Sequence, residues 1–321
     1  MADESAAHSG NPAVGRVVQD VIGSNVADAL GKGLAGSDLT SLMLEVMWRR
    51  ASGRSPGDIL RQYERDRFTQ PAALDARELL STIAVAVGAI GSHFDLVATS
   101  PLVPLGTHSV VAGVSQNRVV STIRSTEVAA DPTNSLALEA AVRRRSMLHA
   151  DPRSSEVVQL AAIDRVVRAQ QFRGSRSFAH FTLLGLVSAG RDVGHSHFEQ
   201  QALNDHLSQL IAVCRAIGFP QLTIHVTDLT GFNDAVVTTV SEAVSDDQVS
   251  VTPWPERTAG RNYYQSLCFK LSVVDEGETI EIADGGLVDW TQCLLDNRKE
   301  RLMISGLSIE RLTLLQATKP S

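Results

Sequence analysis

The 321-residue chain is 43% hydrophobic and 20% charged, with 29 basic against 36 acidic side chains and a formal net charge of −7. That composition fits a globular chain long enough for two domains and excludes collagenous, disordered and membrane-spanning classes, since no apolar run approaches the length of a bilayer span. The acidic balance argues against non-specific nucleic-acid binding, and Cys214, Cys268 and Cys293, odd in number and far apart, exclude a disulfide framework and point to a reducing cytoplasm.

Residues 1–12 are small and polar, lack the build of a secretory signal, and are expected to be a disordered tail. A helical extension is expected over residues 13–71. Arg16–Leu30 carries Val17, Val18, Val21, Ile22 and Val26 on one side. Leu39, Leu42, Met43, Val46 and Met47 recur at i, i+3, i+4, i+7 and i+8, which predicts a helix with Ser37 or Asp38 as N-cap and Gly53 as its stop. Ser55-Pro56 opens another through Ile59, Leu60 and Tyr63, and Pro71 marks a boundary. Leu74–Ile90 is a strongly apolar helix, followed by Phe94–Val97 and the proline-bounded Ser100–Pro104.

Beyond this point strands and loops dominate. Two further helices are expected, from Ser135 to about Arg145 and from about Phe198 to Ile217, the second stopped by Gly218. Strands are expected at Gln221–Val226, Tyr264–Val274 and Thr279–Ala283, the last two joined by a turn at Asp275-Glu276-Gly277. Leu302–Leu315 begins extended and ends helical. The pattern is α+β: a helical N-terminal extension, then a core over 72–321 with a mostly antiparallel sheet and helices on one face.

Short motifs carry little by themselves. Gly31-Lys32-Gly33-Leu34-Ala35-Gly36 spells GxGxxG, but that phosphate cradle needs a strand before it, and the preceding residues read as helix. His195 and His197 lack a third ligand at a supporting spacing and read as a solvated loop, so no metal site is expected. Arg143-Arg144-Arg145 reads as a solvated helix end. No GxSxG elbow or Ser/His/Asp constellation is visible. The segment 167–181 is different: arginines alternate with Phe172, Phe178 and Phe181 between two expected strands. Guanidinium groups clamp phosphate oxygens and an aromatic ring offers a face to a purine.

Near the C-terminus, Gly285-Gly286-Leu287-Val288-Asp289-Trp290 leads into Ile304-Ser305-Gly306-Leu307-Ser308-Ile309-Glu310-Arg311. This resembles the third motif of class II aminoacyl-tRNA synthetases, as written in histidyl-tRNA synthetase and its paralogue, the regulatory subunit of ATP phosphoribosyltransferase. Other segments follow in the family's order. Leu74–Ile90 with Ser100–Pro104 is similar to the dimer-forming first motif, and Asp131-Pro132-Thr133-Asn134-Ser135 stands where the family has Arg-Pro-Glu-Gly-Thr. Arg168-Ala169-Gln170 with Phe181 resembles motif two, and Ala259-Gly260-Arg261-Asn262-Tyr263-Tyr264 resembles Arg-Gly-Leu-Asp-Tyr-Tyr. The resemblance covers about residues 72–315.

It implies ATP and magnesium as cofactors, with Arg168 on the α-phosphate and Arg311 on the γ-phosphate. Phe181, or alternatively Phe178, would stack on adenine, with Gln170 and Glu310 beside the nucleotide. The acid pocket would be formed by Thr133, Leu183, Val187, Tyr263, Tyr264, Gly285 and Gly286. Here the chain departs from the family. Thr133 replaces the glutamate that binds a substrate ammonium, Leu183 and Val187 replace the pair that reads imidazole, and Ala259 replaces an arginine for which Arg257 or Arg261 could substitute. Histidine's polar groups would be buried unpaired against leucine and valine. The chain also runs only ten residues past Arg311, where a histidyl enzyme continues into an anticodon-binding domain. The expectation is an ATP-binding paralogue that activates a small amino or carboxylic acid as an acyl-adenylate and does not charge tRNA. The alternative is a non-catalytic regulatory or metabolite-binding paralogue with a protein partner. A cytoplasmic homodimer without membrane association is expected in either case.

Overall fold

The computed structural model describes residues 26–170, 179–230, 234–260, 263–275 and 277–317. The expected tail, most of the Arg16–Leu30 helix, Phe172, Phe178, Arg261 and Glu276 of the hairpin turn lie outside the described residues. The chain divides into two compact units: one running to Glu64 and including Thr122–Ser125, the other containing the remainder.

In the first unit, Val26–Asp28 is helical and continues as a π-helical turn over Ala29–Gly33. Helix α1 spans Gly36–Ser52 and stops at Gly53. Its N-cap is Ala35 rather than Ser37 or Asp38. Ser37 and Asp38 lie inside the first turn, and the Ser37 carbonyl already accepts from the Ser41 hydroxyl one turn on. Helix α2 (Pro56–Tyr63) is opened by a capping box between Ser55 and Asp58, with proline at the position where its missing N–H costs nothing. Of the GxGxxG glycines, Gly31 and Gly33 therefore lie in the π-helical turn and Gly36 opens α1, with no strand ahead of them among the described residues.

The second unit begins with α3 (Ala76–Ala89), capped by Asp75. Then come β1 (Asp95–Leu96), β2 (Leu102–Pro104), β3 (Thr126–Val128), α4 (Pro132–Ala150), β4 (Val158–Val167), β5 (His180–Arg191) and α5 (His197–Ile217). The chain continues through β6 (Leu222–Asp228), α6 (Asp234–Val244), β7 (Val249–Pro253), β8 (Leu267–Asp275), β9 (Glu278–Val288), α7 (Trp290–Leu295), β10 (Glu300–Ser308) and α8 (Ile309–Ala317). One eight-stranded sheet has the order β1-β4-β5-β10-β9-β8-β6-β7, and β2 pairs with β3 in a separate ribbon. Its interior is antiparallel; only the edge pairs β1/β4 and β6/β7 are parallel.

Helices cover both faces of this sheet, not one. Leu184 and Leu186 of β5 join a core with Leu203, Leu207 and Leu210 of α5, whereas Val187 and Ala189 pack with Leu136, Ala137 and Ala140 of α4. Every residue of β5 from Leu183 to Gly190 is consequently buried, so polar and apolar residues do not alternate along it. Helix α4 is tied to the sheet by a fully buried pair: Arg144 donates through Nε and Nη2 to both Glu300 carboxylate oxygens, at 2.8 and 2.9 Å, and also to the carbonyls of Ser154 and Glu156. Its other end approaches closely because residue 185 is glycine. A Cβ there would lie 2.8 Å from Pro132 Cβ and 3.2 Å from Thr133 N.

Candidate functional site

That approach brings the N-terminus of α4 to the rim of a cleft of about 500 Å³ on the α4 side of the sheet. Asp131 is the N-cap: its Oδ1 accepts from Thr133 N at 3.0 Å and from Thr133 Oγ1 at 2.7 Å. Its Oδ2 accepts from Arg168 Nη2 at 2.8 Å, while Arg168 Nε donates to Ala130 O at 2.9 Å. Arg168, just beyond the end of β4, thus clasps the residues that open α4. Its guanidinium lies 5.0 Å from the centroid of Phe181 at the start of β5.

Opposite, on β9, Asp284 faces the cleft. Arg257 is buried behind it and donates to both carboxylate oxygens at 2.9 Å, and to the carbonyls of Ala259 and Phe269. Tyr264 OH donates to Asp284 Oδ1 at 3.1 Å. Burial raises the Asp284 carboxyl above its ordinary range, against the pull of Arg257. Burial also raises both tyrosine phenols, with Asp131 adding to the effect at Tyr263 and Asp284 at Tyr264. Both phenols are therefore neutral donors at any physiological pH. Gly306 of β10, in register with Asp284 on one side and Gly185 on the other, leaves the floor flat between them.

The far wall is the start of α8. Glu310 is buried; its Oε1 accepts from Arg165 at 2.8 Å, and its Oε2 has no hydrogen-bond partner among the described residues. Arg165 is held in turn by His180 at 2.5 Å. Arg311 donates to the carbonyl of Glu281, leaving its remaining N–H groups unpaired among the described residues.

The fold gathers most of the residues singled out from the sequence. Thr133, Arg168, Gln170, Phe181, Leu183, Tyr263, Tyr264, Glu310 and Arg311 line this one cleft. Val187, Gly285 and Gly286 do not. Val187 is in the core beneath α4, because Gly185 lets the helix close over that part of the strand. A Cβ on Gly285 would meet the Phe269 ring at 2.6 Å, and one on Gly286 would meet Tyr264 at 2.6 Å and Leu267 O at 2.5 Å, so both glycines seat neighbouring side chains. Arg257 braces Asp284 from behind and does not line the cleft. His195 lies in a left-handed loop before α5, and no group of three potential metal ligands occurs among the described residues. Sequence reasoning missed His108, Arg118, Asn134 and Asp284, which also line the cleft. It also missed Asp131, which lines the cleft too and which, directly before a helix-opening proline, carries a readable signal, that of an N-cap.

No protein-family model matches the sequence, and no curated protein matches it. Solved structures do. A histidine–tRNA ligase subunit from Alicyclobacillus acidocaldarius superimposes with a TM-score of 0.57 at 14% identity, over 79% of this chain and 97% of that one. The chain has a histidyl-synthetase-like class II fold. An ATP phosphoribosyltransferase regulatory subunit/histidyl-tRNA synthetase from Bacillus halodurans matches with a TM-score of 0.55 at 14% identity, over 77% of this chain and 82% of that one. Apo histidyl-tRNA synthetase of S. aureus gives 0.54 at 15% identity over 75% of this chain, which spans 65% of that enzyme's length. No described helix is long and apolar enough to cross a membrane.

Proposed function

We propose that the cleft binds ATP with magnesium and activates a small amino or carboxylic acid as its acyl-adenylate, without charging tRNA. The observation that carries this reading is the convergence of Arg168, Phe181 and Arg311, from three separate elements, on one cleft of about 500 Å³. A polar and aromatic cleft of that size suits a nucleotide with a small second ligand. Phe181 offers its ring to adenine, Gln170 a neutral amide to the exocyclic amine, and the two arginines positive charge to the phosphates. ATP supplies an electrophilic α-phosphorus and pyrophosphate as leaving group. The acid's carboxylate oxygen bonds to that phosphorus as the bond to pyrophosphate breaks, and no proton has to move. Arg168 and Arg311 stabilise charge that grows during the step. Magnesium, which uses one or two carboxylates besides phosphate and water, would find Glu281 on the cleft wall beside Arg311, where one carboxylate oxygen is already paired with Lys270.

The acid subsite lies at the Thr133, Tyr264 and Asp284 end. Leu183 is an apolar wall there, which supports a substrate other than histidine. The −7 net charge is in keeping with a chain that does not hold tRNA. A homodimer about α3 is supported by Leu80, 64% exposed, with Val85 and Val87 also exposed on that helix. We place it in the cytoplasm on its free cysteines.

A second reading, a non-catalytic metabolite-binding or regulatory paralogue with a protein partner, draws on one specific feature. Arg168 is already paired with Asp131, so part of the cleft's positive charge is neutralised internally. Calorimetry with ATP and magnesium on the wild type and Arg311→Ala, followed by a pyrophosphate-exchange screen over amino and carboxylic acids, separates the two. The activating reading expects binding that weakens at least tenfold in Arg311→Ala, the worth of about 1.4 kcal/mol for a charged hydrogen bond, and exchange with at least one acid. Equal binding by both proteins would remove Arg311 from the site. ATP binding without exchange across the panel would favour the regulatory reading.

A further inference from the structure

Arg168 is held by the Ala130–Asp131 backbone, and that backbone is held from behind by a histidine that neither the sequence motifs nor the proposed chemistry uses. His108 lies in the helical turn Thr107–Val111, and only 1% of its side chain is exposed. Its Nε2 accepts the backbone N–H of Ala130 at 2.9 Å. A ring nitrogen that accepts carries no proton, so the imidazole proton is on Nδ1, and Nδ1 faces Glu127 Oε1 at 2.5 Å. Glu127 is itself completely buried and receives the N–H groups of Gly106 and His108 and the amide of Gln116. Burial would raise its carboxyl, but those donors overcome it and hold the group below the usual range, as an anion. The tautomer of His108 is therefore set by a fixed negative charge.

Ala130 is the pivot. Its N–H is bound by His108 and its C=O by Arg168 Nε, so one residue carries the order of a buried carboxylate to a cleft arginine. The next residue, Asp131, holds the same arginine through Nη2. With both hydrogen-bonding nitrogens engaged, His108 has no lone pair for a ligand and is not an acid or a base in the cleft.

We propose that His108 is a positioning residue for Arg168, acting through its Nε2 bond to Ala130 N–H; the inference rests on the nucleotide reading of the cleft. Two substitutions divide the histidine's bonds. His108→Gln places an amide oxygen where Nε2 stands and keeps an acceptor for Ala130, but gives up the donor to Glu127. His108→Asn places an amide nitrogen where Nδ1 stands and keeps the donor to Glu127, but cannot reach Ala130.

ATP affinity is measured by calorimetry, with magnesium, on the full chain, and melting temperature is taken in parallel. Positioning through Ala130 requires His108→Gln to bind ATP within about threefold of wild type while melting lower. His108→Asn then melts closer to wild type and loses ATP affinity by about tenfold, the weight of one hydrogen bond. Affinity that follows melting temperature across both variants, or wild-type affinity in both, overturns the proposal. A wild-type protein that takes up no ATP sinks the nucleotide reading instead. The role of His108 is then decided by the NMR signal of the Arg168 Nε–H group, assigned by its loss in Arg168→Lys. Slow hydrogen exchange of that group in wild type and His108→Gln but not in His108→Asn upholds the role, and equal exchange in all three overturns it.

Discussion

Gly185→Ala tests the link between packing and the cleft. The added methyl would stand 2.8 Å from Pro132 Cβ and 3.2 Å from Thr133 N, whereas ordinary contact begins at 3.4 Å. Proline is rigid and the nitrogen is backbone, so neither neighbour can rotate away. The first turn of α4 must rise from β5 by about 0.6 Å, the difference between the closer contact and that limit. Overpacking of this kind costs about 1–3 kcal/mol. The same movement carries Ala130 and Asp131, which hold Arg168 at 2.9 and 2.8 Å. Urea unfolding and ATP calorimetry on one preparation should therefore show lower stability together with weaker binding. Gly306→Ala is the control for stability alone, because its methyl meets only Asp131 Oδ2, at 4.0 Å, although it enters the cleft floor. A Gly185→Ala protein with wild-type stability and wild-type ATP affinity would refute the claim that this glycine sets the cleft.

Three further outcomes are expected. Glu300→Leu strands the Arg144 guanidinium in the core and should cost about 3–5 kcal/mol in urea unfolding, most of it recovered when Arg144→Met is added; no recovery would mean the loss lies elsewhere. His206 is fully buried between Ser188 and Ser305, and burial, with a smaller contribution from His93, lowers its pKa from 6.5 to about 3. Its contribution to stability is complete above pH 6.5 and is lost as pH falls toward 3, at about 1.4 kcal/mol per pH unit, because only the unfolded chain takes up the proton. His206→Gln should flatten that slope between pH 6.5 and 4, and an unchanged slope would count against the assignment. Arg118 lines the cleft with no ion pair among the described residues, so Arg118→Ala should weaken ATP binding several-fold, more at low salt, with the melting temperature held; salt-independent wild-type binding would exclude it from the phosphates.

The elements legible in the sequence were those with local signals. Gly53, Gly218 and Ser55-Pro56 end or open helices through backbone geometry that a few residues decide, and each does so in the structure. Helix α4 starts at Pro132, three residues before the expected Ser135, and Asp131-Pro132 is a cap followed by a helix-opening proline. Read as a family loop, Asp131–Asn134 hid the fact that the helix begins at the cleft. β5 resisted periodicity because helices cover both sides of it, and the same coverage removed Val187 from the cleft. Arg168 and Arg311, which stand out only by likeness to ordered motifs, line one cleft in the structure.

The groups that hold those arginines were not legible, for a physical reason. A ligand arginine can be recognised by the company it keeps along the chain, but its support is recruited through space. Asp131 meets Arg168 across 37 residues, Glu310 meets Arg165 across 145, and His108 meets Ala130 by crossing from a turn to a helix cap. The contacts to Glu310 and from Ala130 to His108 satisfy buried polar groups that would otherwise be costly, and any residue able to donate or accept from the right place could have served. Support of this kind leaves no spacing rule in the sequence. The residues that line the cleft thus belong to a short motif vocabulary, whereas those that pack and hydrogen-bond behind them, such as His108, Asp131 and Gly185, become visible only when the strands and α4 are in register.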